Sequence, residues 1–131
     1  MIIYKSDKNF NMHQITQLFL SVGWDSAKFP QKLYKAIMSS ETVISAWHDL
    51  KLVGMMTAIS DTEMNVFFPY LLIHSDYQRK GIGGKLVKYM LEQYKDTFRK
   101  ILICSNTNVS FYEKYGFLEK TEEQPMMIIN Q

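Results

Sequence analysis

The chain has 131 residues, of which 47% are hydrophobic and 21% are charged, a balance typical of one globular domain that buries its own core. A formal net charge of +2 is too small to indicate nucleic-acid binding, a single cysteine excludes an internal disulfide, and no apolar run approaches the roughly 18 residues of a membrane span. We therefore expect a single domain over residues 1–131, located in the cytoplasm, with neither a nucleic acid nor a membrane as its partner.

The first 60 residues predict two helices followed by a pair of strands. "MIIYK" has strand character, and apolar side chains at helical spacing from Met12 to Val22 predict a helix that Gly23 ends. A second helix is predicted to begin near Pro30, because proline suits the first helical position. The segments "TVISAW" and "LVGMMTAIS" indicate two strands joined by the turn "HDLK".

The next segment, "NVFFPYLLIH", predicts a third strand. Its nearly continuous apolar run is typical of a strand that is buried on both faces. Pro69 lies inside this run and cannot donate a hydrogen bond to a neighbouring strand. We therefore expect a bulge or an interrupted pairing at Pro69.

The remaining residues predict a second group of alternating elements. Four side chains recur at four-residue spacing and predict an amphipathic helix: Ile82, Leu86, Met90 and Tyr94. "KILIC" indicates a short buried strand, and "NVSFYEKYG" a short helix with Asn108 as N-cap and Gly116 just past its end. The tail segments "FLEKT" and "PMMIIN" predict one or two final strands. This order of elements is that of a layered α/β domain.

The segment "YQRKGIGGKL" places three glycines at the entrance to the predicted third helix. Gly81, Gly83 and Gly84 would let the backbone approach a ligand closely, and the start of a helix adds unpaired amides and the positive end of its dipole. Arg79 and Lys80 add positive charge. These features predict an anion site suited to a pyrophosphate, with a flexible joint as the alternative interpretation. Neither a dinucleotide-binding fingerprint nor a P-loop is present.

Two motifs carry a resemblance to a known family. "LLIHSDYQRKGIGGKL" resembles the acetyl-CoA signature of the GNAT N-acetyltransferase superfamily, Q/R-x-x-G-x-G/A, and "NVSFYEKYGF" is similar to the "FYEKxGF" segment of that family. The resemblance implies the GNAT fold: a central mixed, mostly antiparallel twisted sheet of six to seven strands with about four helices on both faces. It also implies an acyltransferase that moves an acetyl group from acetyl-CoA directly to a primary amine.

The resemblance implies a role for each residue that matches the motifs. The strand residues that match those pairing with the pantetheine arm are Leu71, Leu72 and Ile73. Gln78 is the first residue of the acetyl-CoA signature and is implied to bind the cofactor. The residues that match the pyrophosphate loop are Arg79, Lys80, Gly81, Ile82, Gly83 and Gly84. Asn106 or Asn108 matches an asparagine that binds the pantetheine, and Tyr112 matches the tyrosine that protonates the departing thiolate. The family often has proline where Ser75 stands.

No residue matches the general base of the family. Asp61 and Glu63 precede the third strand, and His74 follows it as a predicted turn residue, so that an amine delivered in its neutral form is the alternative. Cys104 is interpreted as a small hydrophobe, and an acetyl-cysteine relay is rejected. No cluster has the spacing of metal ligands, and we expect no metal.

The sequence gives little indication of which amine accepts the acetyl group. An aromatic wall formed by side chains around the two N-terminal helices would suit a cationic or aromatic amine, although the same rings could simply close the core: Trp24, Phe29, Tyr34, Phe68 and Tyr70. The expected acceptor is a small molecule, with an arylalkylamine or a polyamine as candidate, or a peptide. The resemblance also allows a homodimer. The alternatives are a catalytically silent CoA-binding regulatory domain and, ranked below it, a nucleic-acid-binding module.

Overall fold

The computed structural model describes residues 1–130 and assigns them six strands and four α-helices. The strands are β1 Ile2–Lys5, β2 Thr42–His48, β3 Lys51–Ser60, β4 Asn65–Phe67, β5 Leu71–Ile73 and β6 Arg99–Ile101. The helices are α1 Met12–Ser21, α2 Pro30–Ser39, α3 Ile82–Gln93 and α4 Val109–Glu113. Three short 3₁₀ turns span Asp25–Lys28, Ser75–Tyr77 and Asn106–Asn108. These residues form two compact units, Met1–Ile101 and residues 102 onward.

All six strands belong to one mixed sheet in the first unit. The strand order is β1-β2-β3-β4-β6, and β5 pairs with β3 beside β4. Every pairing is antiparallel except that of β4 with β6, which is parallel. The predicted fold, a mixed and mostly antiparallel sheet of six to seven strands with four helices, is confirmed.

Local signals explain where α1 begins and ends and where α2 begins. Asn11 accepts a hydrogen bond from the amide of Gln14, whose side chain in turn accepts from the amide of Asn11, which is a complete capping box. Gly23 follows α1 in the left-handed region with a φ of 70°. Pro30 occupies the first turn of α2, as predicted.

Helices pack on both faces of the sheet in the first unit. The apolar sides of α1 and α2 share one buried cluster with Met55 of β3. Gly54 points to the opposite face, because successive residues of a strand alternate. A Cβ built on Gly54 would lie 3.3 Å from Cγ2 of Ile82, the first residue of α3. Helix α3 therefore covers the face opposite α1 and α2.

Pro69 interrupts the third predicted strand, which confirms the prediction for that residue. The strand is divided into β4 and β5, and the residues between them are Phe68, Pro69 and Tyr70. The ring of Phe68 lies 6.1 Å from that of Tyr94 at the end of α3, whereas Tyr70 packs against the cluster of α1 and α2. In an uninterrupted strand these two aromatic residues would share a face.

Three predictions about strands are wrong. The third strand is not buried on both faces, since Phe67 is 37% exposed. The segment "KILIC" contributes β6 only up to Ile101, because its partner β4 ends where Pro69 breaks the ladder. Residues 102–130 contain no strand, so the predicted final strands are absent from the described part of the chain. An apolar run of this kind forms a strand only where a partner offers its backbone.

Candidate functional site

The strands β4 and β5, on either side of Pro69, both pair with β3. Along the edge that faces away from β3, here called the outer edge, the two strands have different neighbours. Beside β4 this edge is paired with β6, and the amide of Phe68 makes the last such bond, 3.0 Å to the carbonyl of Ile101. Beyond it, no strand among residues 1–130 pairs with the outer edge of β5. The strands β5 and β6 are therefore not paired with each other, and the sheet is open between them.

The register of β5 determines which backbone groups point to that edge. The carbonyl of Tyr70 accepts from β3 at 3.0 Å, and the amide of His74 donates to β3 at 2.8 Å. Because backbone groups alternate in direction along a strand, those of Leu72 also turn towards β3. The amides and carbonyls of Leu71 and Ile73 consequently point to the outer edge.

The loop that follows β5 is held by side chains. Nδ1 of His74 accepts a hydrogen bond from the amide of Asp76 at 3.1 Å and so caps the 3₁₀ turn Ser75–Tyr77. The side-chain amide of Gln78 donates to the carbonyl of Ile73 at 3.1 Å. Burial, followed by the charge of Lys51, lowers the pKa of His74, so that its ring remains a neutral acceptor near pH 7.

The glycine segment turns this loop into α3. Gly81 is the N-cap with a φ of 81°, and Arg79 also lies in the left-handed region with a φ of 65°. No side chain within residues 1–130 caps this helix, and the first amides of a helix have no acceptor inside it. Ile82 buries its side chain under the sheet while Arg79 and Lys80 are exposed. The result is an exposed, positively charged helix start.

Aromatic rings lie together on the other side of the sheet. Trp24 and Tyr70 have ring centroids 6.2 Å apart, and both contact Phe19 of α1. The hydroxyl of Tyr70 is 2.8 Å from that of Ser26 in the 3₁₀ turn before α2. Phe29 is 58% exposed beside that turn. Phe68 lies on the face of α3 and is therefore not part of this aromatic group.

Asp61, one of the acidic residues considered as bases, has structural partners. The carboxylate of Asp61 accepts hydrogen bonds from three amides of its own turn, at 2.8 to 3.0 Å, and these bonds lower its pKa. A second acidic group, Glu41, is not indicated as a base by the sequence; it accepts from Ser60 at 2.5 Å and from the hydroxyl of Tyr94 at 2.6 Å. The apolar spacing of α3 predicts that Tyr94 packs in the core, but it does not indicate that the Tyr94 hydroxyl bonds to Glu41.

The second unit contains the remaining predicted residues. Tyr112 is half-buried between Phe111 and Phe117, whose rings lie 5.0 Å and 5.8 Å away. Burial, with a smaller effect of Cys104, raises its pKa to about 12. Burial also raises the pKa of Cys104, which keeps this thiol protonated at neutral pH. Asn106 and Asn108 are exposed in the turn before α4, and Asn108 makes no side-chain capping bond.

The structure thus brings the candidate strand residues and the candidate loop residues together in the first unit. Leu71–Ile73 leads through the Ser75–Tyr77 turn directly to Gly81 and the start of α3. In the described residues, no group of three or more histidine, cysteine or acidic side chains could hold a metal ion. None of the described helices is long and apolar enough to span a membrane.

Comparisons with known proteins identify the family and agree with the fold. Residues 14–129 match the family described as acetyltransferase (GNAT) domain. The chain is 34% identical, over 125 residues, to the uncharacterized N-acetyltransferase ycf52 of Pyropia yezoensis, covering 90% of this chain and 71% of that protein. A GNAT-family acetyltransferase from Streptococcus pneumoniae has the same fold, with a TM-score of 0.83 and 27% identity over 100% of this chain and 99% of that one. A probable acetyltransferase from Staphylococcus aureus, 17% identical, superposes over 100% of both chains with a TM-score of 0.87.

Proposed function

Because this chain belongs to the GNAT acetyltransferase family, we propose that it transfers an acetyl group from acetyl-CoA directly to a primary amine of a small molecule or a peptide. In this reaction the carbon–sulfur bond of the thioester breaks and a carbon–nitrogen amide bond forms. The amine loses one proton, and the thiolate that departs gains one. When bound, acetyl-CoA supplies the activated acetyl group.

The observation that carries the proposal is the outer edge of β5, which no strand of the described chain pairs and which leads directly to the uncapped start of α3. Leu71 and Ile73 have the backbone groups on this edge, and an extended pantetheine arm could pair with them as a further strand would. Leu72 contributes its side chain to the core instead. An amide on this edge could also polarise the thioester carbonyl.

The loop residues fit the phosphate groups of this cofactor. The first amides of α3, from Ile82 to Gly84, have no acceptor within the helix and lie at the positive end of its dipole. Arg79 and Lys80 place two cationic side chains in the same exposed loop. The left-handed conformation of Gly81 directs the chain into this helix start. A diphosphate would therefore meet both amides and positive charge.

Tyr112 is the residue that we assign as the acid. With its pKa raised to about 12 by burial, its phenol is fully protonated at neutral pH, and it is a weaker acid than an ordinary tyrosine. This assignment depends on the match of Tyr112 to the family motif. Asn106 or Asn108 is assigned to the pantetheine on the same basis.

The amine is proposed to arrive in its neutral form, since Asp61 is occupied by its own turn and His74 by the loop. The exposed rings of Trp24 and Phe29, with the half-buried Tyr70 beside Trp24, support an acceptor with aromatic or cationic character, such as an arylalkylamine or a polyamine. Catalysis then comes mostly from the positions in which the chain holds the two reactants.

We infer that the whole chain acts as one GNAT domain. The family match begins at residue 14 and ends at residue 129, and it therefore spans both compact units. A cytoplasmic location and a homodimer are further parts of the proposal, which fractionation and light scattering would test.

The test of the proposed function has two stages. Calorimetry should first detect acetyl-CoA binding, and saturating acetyl-CoA should raise the melting temperature. Release of the CoA thiol is then followed over a panel of polyamines, arylalkylamines, aminoglycosides, amino acids and peptide N-termini. Absence of binding would refute the proposal. Normal binding without turnover on any amine would favour the silent regulatory domain.

A further inference from the structure

Tyr77 connects the proposed cofactor loop to the hairpin of β2 and β3. Its hydroxyl lies 2.7 Å from Nδ1 of His48, the last residue of β2. The ring of Tyr77 lies 5.5 Å from that of His48 and 5.8 Å from that of His74, both edge-on. The ammonium groups of Lys51 and Lys80 lie 5.4 Å and 5.6 Å from its centroid. Two strands and the loop therefore meet at one ring.

We propose that Tyr77 is a positioning residue that holds the cofactor loop in the conformation that binds acetyl-CoA. The inference rests on the proposed function. It assigns a role to His48, which lies outside both sequence motifs, and to Tyr77, to which the resemblance assigns none. In this role Tyr77 acts through the loop and through Lys80 and not on the reacting atoms.

Among residues 1–130, few hydrogen bonds hold this loop. Between Tyr77 and α3, the hydrogen bonds that the structure gives for the loop are those of Gln78 to Ile73 and of Lys85 to Gly81. Arg79 adopts a left-handed conformation, which a residue with a Cβ rarely adopts without surrounding constraints. A loop that is ordered before binding avoids the entropy cost of being ordered by the ligand. Loss of the anchor should therefore weaken cofactor binding.

The ring also orients charge. An ammonium group within about 6 Å of an aromatic centroid is attracted to the face of the ring, and Lys80 satisfies this distance. Lys80 belongs to the loop that would receive the phosphates. Tyr77 would thus hold this cation in place before the phosphates arrive.

The hydrogen bond can be removed without removing the ring. Tyr77→Phe keeps the aromatic contacts and loses only the bond to His48, whereas His48→Ala removes the other partner. We expect each variant to raise the Kd for acetyl-CoA about three- to tenfold, which is the ordinary net effect of one hydrogen bond. Because both substitutions break the same bond, the Kd of the double variant for acetyl-CoA should not exceed that of the single variant with the higher Kd.

Two further variants separate positioning from general damage. His48→Asn retains a side-chain group that can bond the Tyr77 hydroxyl, and it should restore the Kd to within about twofold of the wild type. Tyr89→Phe is the matched control: Tyr89 is 47% exposed on α3, contacts the ring of Tyr4 and lies outside the loop. It should bind acetyl-CoA as the wild type does.

Kinetics give a readout that a purely structural role would not move. In Tyr77→Phe the KM for acetyl-CoA should rise, while the KM for the amine and kcat stay unchanged. Normal binding by the wild type together with unchanged affinity in Tyr77→Phe and His48→Ala would overturn this inference alone. No binding by the wild type would overturn it together with the proposed function. A weaker but additive double variant would also overturn it, because the two residues would then act separately.

Discussion

Gly54 offers the sharpest test of how the sheet packs against the start of α3. A Cβ added there would lie 3.0 Å from Cδ1 of Ile73 and 3.3 Å from both Cβ of Ala46 and Cγ2 of Ile82. The first of these atoms ends a side chain that can rotate. The other two are attached close to the backbone, so relief would require β2 or α3 to shift. Gly54→Ala should therefore be destabilising.

The magnitude follows from two opposing effects. Overpacking of a core costs about 1–3 kcal/mol, whereas replacing glycine restricts the unfolded chain and stabilises the fold by about 0.4–1 kcal/mol. With about 2 kcal/mol for overpacking and about 0.7 kcal/mol for the glycine effect, the middle of each range, the free energy of unfolding should fall by about 1.3 kcal/mol, which corresponds to a decrease of about 5 °C in the melting temperature. Urea unfolding should show a lower midpoint with an unchanged slope.

A second substitution tests the assigned cause. Ile73→Val removes the Cδ1 atom and should cost about 0.5–1.5 kcal/mol in the wild type. In the Gly54→Ala background it should cost measurably less, because it also removes the closest contact of the new methyl group. If Gly54→Ala proved as stable as the wild type, the close packing of β3, β5 and α3 would have to be abandoned.

Three further predictions concern the loop and the second unit. Gly83→Glu should weaken acetyl-CoA binding in calorimetry about tenfold more than the uncharged Gly83→Gln, because a carboxylate suits a helix start but repels phosphate; equal losses would mean that bulk alone matters. Tyr112→Phe should lower kcat about tenfold or more with little change in KM, and an unchanged kcat would show that the thiolate leaves without this acid. The pKa of His74 is lowered in the fold, so the unfolded chain binds more protons below its ordinary value of 6.5 and stability is lost as the pH falls through that value. His74→Asn keeps an acceptor for the Asp76 amide and should flatten the decrease in unfolding free energy between about pH 7 and 5; an equally steep decrease would exclude His74 as its source.

Features with a local cause could be predicted from the sequence. Helix α1 follows from its apolar spacing and from Gly23, and α2 begins at Pro30 because proline fits that position. The interruption at Pro69 follows from the missing amide hydrogen. The glycine segment predicted a turn into α3, and the structure has Gly81 in the left-handed region at that point.

Features that depend on distant parts of the chain could not be predicted. The opposite placement of Phe68 and Tyr70 arises because the interruption ends the alternation on which strand prediction relies. The bond between His48 and Tyr77 joins residues 29 positions apart, and no local pattern indicates it. The apolar tail carried a strand signal but lacks a partner within the described residues.

The short length of β5 has a consequence for the tendency of the chain to aggregate. An unpaired strand edge invites other chains to add to it, which is a common route to aggregation. Here the edge spans only Leu71–Ile73, is preceded by a proline that has no amide hydrogen, and has one of its carbonyls already bonded to Gln78. An extended ligand anchored by phosphates could use so brief an edge, whereas a stray polypeptide would find few bonds to make there.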